Sequence, residues 1–174
     1  MNRVISVLAR FRVALGFLSG IAVFWLARPT RLSILAGLPV AVAGELIRVW
    51  AAGHLNKSRE VTSSGPYRFV AHPLYLGSSL IGAVLSIGSG RRAVVFIVAT
   101  YLFLTVFAAI TSEEAFLRQA FGDAYDDYKR QRLVNRERRF SWTRAMANRE
   151  YRAVAGVAVA VLLLLWKATY NRVF

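Results

Sequence analysis

The stretch from Leu74 to Glu114, LYLGSSLIGAVLSIGSGRRAVVFIVATYLFLTVFAAITSEE, decides the fold. It holds two apolar runs, 74–90 and 93–112, separated by a Gly-Ser-Gly-Arg-Arg turn and closed by a pair of glutamates. Runs of about 17–25 apolar residues match the thickness of a bilayer core. Working outward, further runs occupy 11–27 and 32–52 before the pair and 153–166 after it. Hydrophobic residues make up 56% of the chain and the mean hydropathy is +0.44, whereas soluble domains reach only about 45–50% with glycine included. The pattern predicts an all-α, polytopic membrane protein of about five transmembrane helices, forming a single domain over 1–174. The last run, 153–166, is the shortest, and reaches across only if Tyr151, Arg152, Lys167 and Tyr170 snorkel or anchor at the interfaces; an interfacial helix is the alternative. The first run has basic flanks like a signal peptide. Arg28-Pro29 follows it in place of a small-residue cleavage site, so it reads as a retained span.

With no cysteine in the chain, disulfides, thiolate metal sites and a cysteine nucleophile are excluded, and no metal site is expected. The net charge of +14 invites a nucleic-acid reading, but its distribution follows topology. Five spans place the amino terminus, the 53–73 loop and the 113–152 segment on one side, with sixteen of the 23 lysines and arginines; six lie on the other. Arg3, Arg10, Arg12 and Arg172 enter that count, and Arg48 lies within a span. The positive-inside bias assigns the first side to the cytoplasm. There the charge attracts anionic membrane lipids, by about 1 kcal/mol per residue near the surface, and no nucleic acid is needed to explain it.

Two polar constellations flank the quoted stretch. In GPYRFVAHPLYLG, residues 65–77, Gly65-Pro66 makes a turn and Pro73 suits the first position of a helix because it has no amide to leave unbonded. His72 then sits at the amino end of the third span with Tyr75 near the same face. An interfacial aromatic belt with a capping histidine explains the same residues. Glycines at 77, 82 and 88 leave this span thin for a neighbouring backbone or a ligand. At the other end, Glu113-Glu114 leaves the fourth span. A helix from 93 to 121 would be about 43 Å long against a core of about 30 Å, which puts the glutamates near the interface. Adjacent residues point about 100° apart, so Glu113 is expected to face a shared cavity and Glu114 to look elsewhere; a solvated charge pair is the plainer alternative. The two spans run in opposite directions, so His72, Tyr75 and Glu113 reach the same depth. A polar cofactor has room there while an apolar substrate enters from the bilayer. Arg48, an ionisable residue within a span, is functional by default, or else pairs with Glu45 at i, i+3.

GPYRFVAHPLYLG, followed by EEAFLRQAFGDAYDDY at 113–128, resembles the isoprenylcysteine carboxyl methyltransferase family and its phospholipid methyltransferase relatives over roughly 45–128. The resemblance implies a membrane enzyme that transfers a methyl group from S-adenosylmethionine, bound at the cytoplasmic face, to a lipophilic small-molecule or lipid acceptor. Carried over by position, it assigns cofactor contacts to Arg59, Glu60, Val61 and Thr62, to Tyr67, to His72, Pro73, Leu74 and Tyr75, and to Glu113. These residue types suit the cofactor: a carboxylate for its ribose diol and ammonium, backbone groups for the adenine edge, an aromatic face for the sulfonium. Phe121, Tyr125 and Tyr128 are expected to be interfacial anchors. The chain departs from the pattern at Ala71, before His-Pro, and at Ala109, where the carboxyl-methylating branch has a substrate-facing arginine. That loss weakens the case for a carboxylate acceptor and leaves Arg48 and Arg68 as the candidate catalytic cations. A membrane reductase of the related sterol-reductase superfamily using NADPH, and a non-enzymatic membrane scaffold, are the alternatives.

Overall fold

The computed structural model describes residues 3–170, without the side chains of residues 3–10, 12 and 13. Arg3, Arg10, Arg12 and Arg172 of the charge count therefore lie outside the described residues or side chains. Every regular element among the described residues is helical. α1 (Arg3–Leu26) and α2 (Arg31–His54) are joined by a short turn, and α3 (Pro73–Gly88) and α4 (Arg92–Phe121) form a hairpin; α5 (Asp123–Lys129), α6 (Trp142–Ala147) and α7 (Tyr151–Tyr170) follow. Three of them, α2, α4 and α7, are long and apolar enough to cross a membrane, while α3 and the 14–26 part of α1 are shorter apolar helices. At about 1.5 Å per residue, α3 spans only about 24 Å, and α7, with 20 residues, about 30 Å. The shortest of the long helices is thus α3 rather than that of the run at 153–166, which continues into its polar flanks.

The turn at 27–30, between α1 and α2, is tied to the Gly-Ser-Gly-Arg-Arg turn between α3 and α4. Thr30 and Ser33 make a reciprocal capping box at the start of α2. The Ser33 hydroxyl also donates to the Gly88 carbonyl at 2.8 Å, and the Arg28 N–H donates to the Ser89 carbonyl at 2.8 Å. Lys167 is one of the residues expected to snorkel or anchor at an interface. Its ammonium crosses from α7 to the end of α1 and donates to the carbonyls of Phe24 and Trp25, the latter at 2.9 Å. Those carbonyls lie where a helix end leaves acceptors unbonded. Ala27, Ile34, Leu164 and Ala168 form a small buried core at this end.

The α2–α3 seam is the tightest contact between helices. A Cβ placed on Gly77 would stand 2.5 Å from the Gly44 carbonyl oxygen, and one on Gly44 would stand 2.9 Å from the Gly77 oxygen. The two backbones touch because neither residue has a side chain, the small-residue packing that joins helices in lipid. α1 packs instead on α4, and between that pair and α7 the bundle is open.

Candidate functional site

The opening of α3 positions the first polar cluster. Pro73 takes the first helical position and is buried, and His72 precedes it with no side-chain cap bond. The capping role open to this histidine is therefore not the one it takes. Its Nε2 lies 3.2 Å from Glu114 Oε1, and its Nδ1 lies 3.9 Å from Glu113 Oε2. Both carboxylates reach the ring, one to each nitrogen. The expectation that Glu114 looks elsewhere is corrected: a ring placed between two directions 100° apart can be met by both.

Lys129 completes the cluster. α4 ends at Gly122, whose φ of +47° lies where glycine suffers no Cβ clash, and the chain folds back as α5. That reversal returns Lys129 Nζ to within 2.7 Å of Glu114 Oε1. Tyr125, 1% exposed, fills the bend, and the Tyr128 hydroxyl donates to the Tyr67 carbonyl at 2.9 Å. Tyr125 and Tyr128 are thus structural, as packing in the reversal rather than as interfacial anchors. Burial, reinforced by the charge of Glu113, raises the Tyr128 phenol to about 12 and also lifts that of Tyr67 above its ordinary range. Both stay protonated at neutral pH.

The strip before the turn is engaged differently. Arg138 donates to the Glu60 carboxylate; that hydrogen bond holds Glu60 below the usual carboxylate range against the opposing effect of burial. The buried Thr62 hydroxyl accepts the Asn56 N–H at 3.3 Å. Arg59 is exposed and Val61 half-buried. The side chains of Glu60 and Thr62 therefore brace the loop, which leaves the backbone and Arg59 for a ligand. The loop is further fixed by the segment before α7, where the Asn148 amide donates to the carbonyls of Ala52 and Leu55, each at 2.9 Å.

Arg48 is already partnered. Its Nη2 lies 2.8 Å from Glu150 Oε1, its Nε 3.7 Å from Glu45 Oε2, and its Nη1 donates to the Ser78 hydroxyl. The i, i+3 contact with Glu45 exists, but the closer partner is Glu150, which no local spacing could have indicated. Arg68 is directed elsewhere, into a small pocket between its own turn and residues 128–134.

A cavity of about 1110 Å³ occupies the opening between α1, α4 and α7. Gly20 and Gly156 face open space and leave room for it, and Arg48, Tyr75 and Ser78 line its polar part. Phe17 and Ile21, also on its wall, are largely exposed on the flank of the bundle. Ala109 is on the wall too. His72 and the glutamates are not. Tyr75 connects the two regions, since it lines the cavity and its ring centroid lies 5.9 Å from that of His72.

Residues 15–124 match the family model for phospholipid methyltransferase, more than half of the chain. The chain belongs to the phospholipid methyltransferase family. The family match includes His72, Glu113 and Glu114 and stops short of Lys129 and Glu150. Over 90 residues the chain is 30% identical to a protein-S-isoprenylcysteine O-methyltransferase of Schizosaccharomyces pombe; the match covers 51% of this chain and 37% of that protein. No solved structure matches the chain.

Proposed function

We propose that this member of the phospholipid methyltransferase family transfers a methyl group from S-adenosylmethionine to a lipophilic acceptor at the cytoplasmic face of the membrane. The observation that carries the reading is the junction at Tyr75 between a His–Glu–Glu cluster and an apolar cavity that opens on the flank of the bundle.

The residues present fit the cofactor. Glu113 keeps 42% of its side chain exposed, and among the described residues its one ion pair is the 3.9 Å contact to His72, so its carboxylate has lone pairs to accept from a hydroxyl or an ammonium. Tyr75 offers an aromatic face, which attracts a cation. When bound, S-adenosylmethionine supplies an electrophilic methyl carried on a sulfonium. Glu114, held by Lys129, fixes the His72 ring, and the cavity wall keeps water from the acceptor's reacting end. On the cavity wall Ala109 has no charge, Arg48 is taken up by Glu150, Glu45 and Ser78, and Lys57 stands exposed in the loop. A desolvated carboxylate left without a partner is costly. The wall therefore favours an acceptor whose reacting group is an amine, a hydroxyl or a differently placed acid.

The test is transfer of labelled methyl from S-adenosylmethionine by the purified protein, followed by mild base, which releases methanol from a methyl ester and not from a methylamine. A farnesylated cysteine analogue should be a poor substrate; rapid, base-labile labelling of it would overturn the acceptor assignment. Binding of NADPH without binding of S-adenosylhomocysteine would overturn methyl transfer itself. For orientation, a reporter fused after Arg139 should lie in the cytoplasm and one at Arg91 on the opposite side.

A further inference from the structure

We infer that the pocket between the Gly65–Arg68 turn and residues 128–134 binds the phosphate of a membrane phospholipid, with Arg68 and Lys129 as its cationic ligands. Arg68 lines this pocket with its Nε buried and without a hydrogen-bond partner. Among the described residues no carboxylate pairs with it, and its one charge contact is the face of Phe69, 5.5 Å from the guanidinium carbon. A buried guanidinium donor left unpaired is costly, and its planar fork matches two oxygens of a phosphate. Lys129 lines the same pocket. Its contact with Glu114 occupies one of three ammonium donors.

Size and surroundings narrow the ligand. The pocket holds about 150 Å³, below the range of about 300–1,000 Å³ for sites that enclose a whole small molecule. It has room for a phosphate and the atoms next to it, and does not enclose a whole nucleotide. Phe69, Val70, Leu133 and Val134 on its wall are all exposed, an apolar rim suited to the first carbons of acyl chains. Lys129 reaches Glu114, two residues beyond the expected end of the fourth span, so the pocket stands at the depth of lipid headgroups. It shares no lining residue with the large cavity, which separates this lipid from the methyl acceptor. Because Lys129 belongs to both clusters, an anion in the pocket shares its ammonium with Glu114. The phosphate site does not depend on the methyl-transfer reading, and its test can fail separately.

The experiment is native mass spectrometry of the full chain in neutral detergent, titrated with dihexanoyl phosphatidic acid, dihexanoylglycerol or inorganic phosphate. Dihexanoyl phosphatidic acid should bind, and Arg68→Gln should weaken it about tenfold, the loss expected for a charge-assisted hydrogen bond. Arg68→Lys keeps the charge without the fork and should fall between them, which holds the test open if the glutamine variant does not fold. Arg130→Gln, at an exposed neighbour outside the pocket, should change little. Equal losses from Arg68→Gln and Arg130→Gln would replace the pocket with diffuse attraction. Equal binding of dihexanoylglycerol would remove the phosphate from the assignment, and inorganic phosphate binding as tightly would remove the lipid. Failure of all three to bind would overturn it entirely.

Discussion

Two charged clusters stand within this bundle, and they use the same residue types to opposite ends. Around Arg48 the charges are closed on one another: Glu150, 8% exposed at its side chain, lies 2.8 Å from the guanidinium, with Glu45 and Ser78 behind it. Around His72 they are left open. Glu114 is engaged by the ring and by Lys129, but Glu113 keeps 42% of its side chain exposed. A charge inside the low-dielectric part of the bundle must find its partners within the protein. One at the edge can rely on water until a ligand replaces it. The first arrangement holds helices together, and the second can hold a substrate.

The strongest way to break this comparison is to remove Arg48. Arg48→Leu leaves Glu150 buried and unpaired, a change that typically costs about 3–5 kcal/mol, and should show as a large fall in thermal stability in detergent. A variant with unchanged melting temperature but no methyl transfer would make Arg48 part of the site after all. Next in size is the α2–α3 seam. Gly77→Ala puts a methyl against the Gly44 carbonyl and should destabilise by about 1–3 kcal/mol, the usual cost of overpacking, read by the same melting curve. An unchanged melting temperature would mean that the seam can open.

The open cluster should respond in ligand affinity rather than in melting. Glu113→Gln keeps shape and removes charge, and should weaken S-adenosylhomocysteine binding by about 1.5–3 kcal/mol, at least tenfold by calorimetry. Glu114→Gln should lose less, because it acts by holding His72, and its loss should be accompanied by a changed pH profile of binding. Equal, negligible effects would place the cofactor elsewhere. The smallest effect belongs to Glu60. Its carboxyl titrates below the ordinary value because Arg138 hydrogen-bonds it. Its contribution is therefore complete above the unfolded carboxylate pKa of about 4.3, and is lost as pH falls through the lower folded value. Glu60→Gln should remove part of the acid-side slope of melting temperature against pH while leaving the neutral side nearly flat. A steeper slope in the variant would reverse the sign of the interaction.

How much of this was legible differs along the chain. The long apolar runs, the two turns, Pro73 at a helix start and Gly122 at a helix end could all be read directly. Each depends on local chemistry: a run of side chains that water rejects, a ring without an N–H, a residue without a Cβ. The meeting of His72 with the Glu113–Glu114 pair was legible as well, because two antiparallel helices joined by a short turn bring their far ends to one depth. Which glutamate touches the ring was not, because that is set by the rotation of α4 about its axis against its neighbours. Glu150 on Arg48 and Lys129 on Glu114 were equally hidden. The first partner is 102 positions away, and the second arrives only through the reversal at Gly122. The sequence by itself therefore determined which segments are helical and apolar and roughly how deep each polar residue sits, since both follow from nearest-neighbour chemistry and transfer between water and lipid. Only the tertiary structure decided which charges close on each other and which stay open, because a partner for a buried charge is chosen by distance in space, and packing across the bundle sets that distance.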